Sequence, residues 1–185
     1  MDGPFLMRKY SGILLIILVL GCRNETSDLD DILTNPLDEN QVNYEVPAFV
    51  FNPNQYDVDL VNTFSAEVFA MGVENLVGAN TLIQYDPAKL SLVNVKNGEL
   101  ASGTGGSTPM FFFQDSIPGL VEIVAVYLSS DSVGISGNIK IAELVFSAAS
   151  AGESELEFLP ECEMLDPDDN PIEIMGYANG VVNVQ

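Results

Sequence analysis

The chain has 185 residues, 47% of them hydrophobic and 9% aromatic, enough apolar side chains for one core of ordinary size. Its formal net charge is −21, from 27 acidic residues against six cations, and such a charge repels phosphate backbones and excludes nucleic acid as a partner. Histidine and tryptophan are both absent, which removes the commonest general base, the commonest metal ligand and the ring best suited to stacking on sugars.

In chain order, the first signal lies at the amino terminus. Arg8 and Lys9 are a basic start, Ile13 to Leu20 is an unbroken apolar run, and Gly21-Cys22 follows at once. That order describes a secretory signal peptide. The run falls well short of the ~20 residues a helix needs to cross a bilayer. Val19-Leu20-Gly21-Cys22 resembles a lipobox, where the cysteine thiol is acylated and the chain is cut just before it, although Leu20 is bulkier than that pattern prefers. Met7 is the better translation start, because it puts both cations directly after a methionine. Residues 1–21 are therefore expected to be a lipoprotein signal peptide and Cys22 the lipidation site. The exported chain would be held to the bacterial cell envelope, at the outer membrane or cell surface. Buried acyl chains contribute roughly 0.8 kcal/mol per CH₂, and several on one cysteine make a firm anchor. Cleavage would remove Asp2, Arg8 and Lys9, leaving 26 acidic residues against four cations and a net charge of −22.

Residues 22–43 are polar and acidic, are interrupted by Pro36 and carry no periodicity, which predicts a self-repelling flexible tether. From Tyr44 the texture changes. Runs rich in Val, Ile, Phe and Tyr alternate with Gly, Pro, Asn and Asp clusters, predicting strands over 48–51, 63–71, 81–85, 91–95, 110–114, 121–128, 138–147, 155–159, 172–174 and 180–184. No window holds a 3.6-residue apolar period, so the expectation for residues 44–185 is one all-β sandwich. Asp86-Pro87 closes a strand, Asn97-Gly98 and Gly103-Thr104-Gly105-Gly106 offer positive φ, and Asp166 to Pro171 reads as a hairpin loop. Cys162 has no partner for a disulfide once Cys22 carries lipid, and is expected to be a small buried hydrophobe.

Several segments carry a resemblance. Asn75-Leu76-Val77-Gly78-Ala79, Tyr85-Asp86-Pro87-Ala88-Lys89-Leu90 and Leu92-Val93-Asn94-Val95 look like the first half of a cohesin. Gly137 to Phe146 resembles its late glycine-led strand, and Asn179-Gly180-Val181-Val182-Asn183-Val184 its closing strand. The series also fits the related carbohydrate-binding modules. The resemblance implies a nine-stranded jelly-roll sandwich that binds dockerins, small calcium-loaded helical modules, through the flat outer face of one sheet. It further implies a link to extracellular polysaccharide degradation. The single module behind a lipid anchor, without repeats, departs from the cellulosomal pattern.

Strand alternation indicates which face would bind. With Tyr85 inward, Thr81 and Ile83 join it, and Asn80, Leu82 and Gln84 face out; the family's contacts fall in this strand. The parity of Gln114 puts Met110 and Phe112 outside and sends Phe111 and Phe113 to the core. Glu122 similarly puts Val124, Val126 and Leu128 outside. Asn80, Leu82, Gln84, Phe112, Glu122 and Val124 are the expected partner contacts, on an apolar surface with an acidic margin.

Other chemistry fares worse. Asp166, Asp168 and Asn170 have the spacing of the first three ligands of a helix-loop-helix calcium site. Pro171 stands where that motif needs glycine and Tyr177 where it needs a bidentate acid. A solvated turn is expected, so calcium belongs on the partner or only secondarily to this loop, and no cofactor is expected. Without histidine or a Gly-x-Ser-x-Gly elbow, nucleophilic catalysis has no base. The strand pattern offers no long loops to flank a glycosidase cleft, so no enzyme is expected. Glycan binding is the alternative, with Tyr56, Tyr127, Tyr177 and Phe112 as its candidate platform, followed by a structural or adhesive role. A coplanar tyrosine row would favour glycan; an apolar sheet face would favour a protein.

Overall fold

A computed structural model describes residues 44–102, 108–128 and 133–185. The expected signal peptide, Cys22, the tether and the glycine turn at 103–106 lie outside the described residues.

The described residues form twelve strands: β1 (Ala48–Asn52), β2 (Gln55–Val58), β3 (Thr63–Leu76), β4 (Gly78–Tyr85), β5 (Leu90–Asn97), β6 (Thr108–Ile117), β7 (Leu120–Leu128), β8 (Ile135–Ala148), β9 (Gly152–Phe158), β10 (Glu163–Leu165), β11 (Gly176–Ala178) and β12 (Gly180–Val184). Nine have five or more residues and make the expected jelly-roll; β2, β10 and β11 are additions of three or four residues at its margins. One sheet runs β11-β1-β3-β8-β5, and the other runs β2-β12-β9-β4-β7-β6, with β10 also paired to β4.

Alternation decides what lies between the sheets. Strand β9, Gly-Glu-Ser-Glu-Leu-Glu-Phe, buries Ser154, Leu156 and Phe158 and exposes each intervening glutamate. Aromatic rings then join the two layers. Phe158 stacks on Phe51 with centroids 4.6 Å apart and on Phe49 at 5.7 Å. Tyr85 meets Phe146 edge-on at 5.2 Å, and Tyr56 meets Phe64 at 5.1 Å. Such pairs contribute about 0.5–1.5 kcal/mol each beyond the area they bury.

Strand β1 is buried on both faces. Phe49 and Phe51 face the core, while Ala48 and Val50 face outward under a second cluster with Met71, Tyr44, Phe69 and Ala178. Gly72, at φ +62°, makes room for this cover, since a Cβ there would lie 2.6 Å from Cβ of Val46. The amino-terminal segment of the described chain thus lies on the outer side of the β1 sheet, with the core between it and the outer face of β4.

Two expectations are corrected. No strand forms over 172–174. Pro171 makes a single bridge to Leu165, and the chain then crosses from β10 in one sheet to β11 in the other, so it cannot stay in either ladder. Ile172 and Ile174 pack half-buried against the core instead. Gly98, expected to supply a positive φ, does not adopt one. It is needed for close approach: a Cβ there would sit 2.2 Å from the backbone oxygen of Lys140, and Gly98 N donates to Ile141 O at 3.0 Å. Because backbone cannot yield as a flexible side chain can, Gly98→Ala is expected to cost about 1–3 kcal/mol. Urea unfolding checks this, and an unchanged midpoint would show that the β5–β8 approach tolerates a methyl group.

Candidate functional site

The outer face of β4, β7 and β6 brings together every contact residue expected from alternation. Thr81, Ile83 and Tyr85 are buried, so Asn80, Leu82 and Gln84 point out. On β7, Val121, Ile123 and Ala125 are buried, and Glu122, Val124 and Val126 lie on the other side. Register aligns these into rows. Asn80 lies opposite Val124, which lies opposite Phe112; Leu82 lies opposite Glu122, which lies opposite Gln114. Directly opposed side chains have Cβ atoms about 4.5–5.5 Å apart, so each row is a continuous contact strip. Asn80 Nδ2 donates to Glu122 Oε1 at 3.4 Å, tying the two rows together.

The strip is apolar towards β6. Phe112 is 51% exposed and Met110 48%, beside half-buried Val124, Val126 and Leu82. Phe111 packs against the core as expected, but Phe113, expected with it, is 39% exposed. Strand β6 is the last of its sheet and has only β7 beside it, so the facing layer does not fully cover its inward side.

Towards β9 the same face turns acidic. Glu153, Glu155 and Glu157 point outward with Gln84 opposite Glu157, and Glu163 of β10 lies opposite Asn80. An acidic margin is expected from the sequence, but its residues on β9 and β10 are not among the expected contacts, although glutamates alternate visibly from Glu153 to Glu157. At the end of β4 a recess of about 380 Å³ is lined by Gln84, Tyr85, Asp86, Pro87, Glu155 and Glu157. The outer face of the other sheet differs: Lys140 pairs with Glu67, Lys96 pairs with Glu143 at 2.8 Å, and Ser65 Oγ donates to Glu143 Oε1 at 2.7 Å. The Lys96 and Ser65 hydrogen bonds hold the Glu143 carboxyl below its ordinary range.

The remaining candidates do not converge. Asp166 is turned into its own loop. Its Oδ1 accepts from the N–H groups of Asp168 and Asn170, each at 2.9 Å, and Oδ2 accepts from Asn170 Nδ2 at 3.0 Å. Those bonds, Asn170's first, lower its pKa, and Asp166, Asp168 and Asn170 form the self-capped turn expected of this segment. Nor do the tyrosines form a row. Tyr56 is buried in the core, Tyr127 packs against it, and Tyr177 stacks on Phe158 at 6.0 Å.

Cys162 does more than fill space. β4 pairs β10 through Asn80 and resumes with β9 at Ile83, leaving Thr81 and Leu82 between the two. Leu82 N donates to Cys162 Sγ at 3.2 Å, and Leu82 O accepts from Leu159 N at 2.9 Å, so the β9–β10 connection closes the gap behind a contact residue.

The fold and this face define the class: a two-layer β-sandwich module that presents one partly apolar sheet face. The cohesin domain family model matches residues 62–184, and the chain belongs to that family. Solved structures agree in fold. A non-cellulosomal cohesin from the archaeon Archaeoglobus fulgidus superposes with a TM-score of 0.61 at 16% identity, over 75% of this chain and 90% of that one. The sixth cohesin of scaffoldin B from Acetivibrio cellulolyticus, solved with a mutant Cel5 dockerin, gives 0.61 at 16%, over 78% and 100%. The second type II cohesin module of the ScaA scaffoldin from the same organism gives 0.65 at 14%, over 74% and 90%. Among curated proteins none matches the chain.

Burial raises the Cys162 thiol from 9.0 to about 11. Between those values the unfolded chain gives up a proton that the folded chain keeps, so this group's contribution to stability is complete below pH 9 and lost as pH rises through 11. Wild type is therefore expected to lose stability relative to Cys162→Ala across that interval. Parallel denaturant curves would show that the thiol is not held neutral.

Proposed function

We propose that the chain is a dockerin-binding module whose contact surface is the outer face of β4, β7 and β6. The observation carrying this reading is the convergence of Asn80, Leu82, Gln84, Phe112, Glu122 and Val124 on one outer sheet face, in a chain of the cohesin family. The relative solved with a dockerin supports the class of partner. An exposed apolar strip with hydrogen-bonding groups at its margin is the composition of an interface core and rim. The absence of a tyrosine row among the described residues favours this over a glycan platform.

The module is held at the bacterial cell envelope by lipid on Cys22 and serves assemblies that degrade extracellular polysaccharide. Tyr44 lies against the outer side of the β1 sheet, so the described chain begins on the side of the sandwich opposite this face, clear of the contact residues. Cys22→Ser is expected to abolish labelling by radioactive palmitate and to release the protein from the membrane fraction. A serine variant that still pellets with membranes would remove the lipid anchor from the reading.

Calorimetry of the purified protein against dockerin modules encoded in the same genome, with calcium and then with chelator, tests the docking reading. One-to-one, calcium-dependent heat is expected. Phe112→Asp, at an exposed position, should weaken binding at least about 30-fold, the effect of losing an interface anchor of about 2 kcal/mol. Leu82→Asp should do the same, but Leu82 also touches the core, so its fold is checked by circular dichroism. Normal binding by a folded Phe112→Asp would place the contact surface elsewhere.

A further inference from the structure

The sulfur atoms of the described residues divide sharply by access. Met71, Met164 and Cys162 are buried. The Met71 sulfur also accepts from the Tyr44 hydroxyl at 3.6 Å. Burial pushes the Cys162 thiol up to about 11, so little of the reactive thiolate forms at neutral pH. Two thioethers stand open to solvent, Met110 at 48% exposed and Met175 at 45%. Their surroundings differ. Met175 belongs to the segment that crosses between the layers, where its N–H donates to Pro47 O beside β1. Met110 lies on β6 opposite half-buried Val126, with exposed Phe112 opposite Val124 in the next row. An accessible, oxidisable atom thus sits within the apolar part of the contact strip, while the thiol of the same domain is closed off.

Resting on the docking reading, we propose that Met110 is a site of reversible oxidation by peroxide and that its sulfoxide weakens docking. A thioether is flexible, polarisable and apolar, and it suits a contact surface; the sulfoxide is polar and chiral. In the reaction a sulfur lone pair attacks one oxygen of hydrogen peroxide. An S–O bond forms, the O–O bond breaks, and the second oxygen leaves as water with both protons. Sulfur gives up two electrons and peroxide takes them, so no further reactant is needed. On the free face, water satisfies the new oxygen. The side chains next to it in the strip, Val124, Val126 and Phe112, offer no hydrogen-bond donor. A partner laid over the strip would remove that water and leave the acceptor buried and unpaired, which opposes binding. Reduction of the sulfoxide restores the thioether and the strip with it.

The test treats the purified protein with hydrogen peroxide and removes the excess with catalase. Peptide mass spectrometry then locates the added oxygen, and calorimetry follows binding to a dockerin module that binds the untreated protein. Met110 and Met175 are each expected to gain one oxygen while Met71 and Met164 stay unchanged. Binding is expected to weaken about tenfold, the effect of one buried unpaired acceptor. Met110→Leu is compared with itself before and after peroxide, and its affinity should not move. Met175→Leu should lose affinity as the wild type does, and reductases for both sulfoxide epimers should restore it in each. Met110 left unoxidised while Met175 reacts would overturn the site. Unchanged affinity with Met110 oxidised, or an equal loss in Met110→Leu, would overturn its effect on docking while the docking reading stands. No binding by any dockerin module before oxidation would overturn the docking reading and this effect together.

Discussion

The structure depends on the aromatic contacts that bridge its two sheets. Phe51 and Phe49 on Phe158, Tyr85 on Phe146 and Tyr56 on Phe64 each join a strand of one layer to a strand of the other. Each ring inside dictates the direction of every neighbour along its strand, because side chains alternate with a period of two and a slip of one residue would invert the face. Tyr85 inward puts Gln84, Leu82 and Asn80 outward; Phe158 inward puts Glu157, Glu155 and Glu153 outward. The composition of this outer face is thus a consequence of core packing, held by the same rings that stabilise the sandwich.

Charge follows the same division. One outer face pairs Glu67 and Glu143 with lysines across strands, in contacts that, being partly exposed, contribute little to stability. The other leaves its glutamates unpaired beside exposed Phe112 and Met110. An uncompensated acidic margin beside an apolar strip opposes self-association through that strip, because like charges repel. The edge strand β6 benefits as well, since Asp115 and the irregularity between Gln114 and Ile117 interrupt a row of free backbone groups.

The site is also continuous at its back. Leu82 falls where β4 has lost β10 and not yet gained β9, and an unmade backbone bond there would cost about 1–3 kcal/mol. Cys162 and Leu159 supply the missing partners, so the backbone of β4 stays hydrogen-bonded across the gap. The thiol in this role is buried, and its burial favours the neutral form.

Alternation and turn chemistry by themselves determined the all-β sandwich, nine of its strand positions, the inward place of Tyr85 and the outward place of Asn80, Leu82, Gln84, Phe112, Glu122 and Val124. These were legible because period two is a local property, readable from neighbours in the chain. The segments 85–95 and 137–146 carried the family for the same reason, through turn and strand residues adjacent in sequence. Tertiary structure alone decided what depends on neighbours distant in the chain: that β6 is an edge, so Phe113 is exposed; that residues 172–174 cross between layers; that Gly98 serves close approach to β8; and that Asp166 spends its oxygens on its own loop. The acidic side of the docking face sits between these cases, since its glutamates alternate visibly along β9, but only the β9–β4–β7–β6 order sets them opposite Phe112 and gives the face its direction.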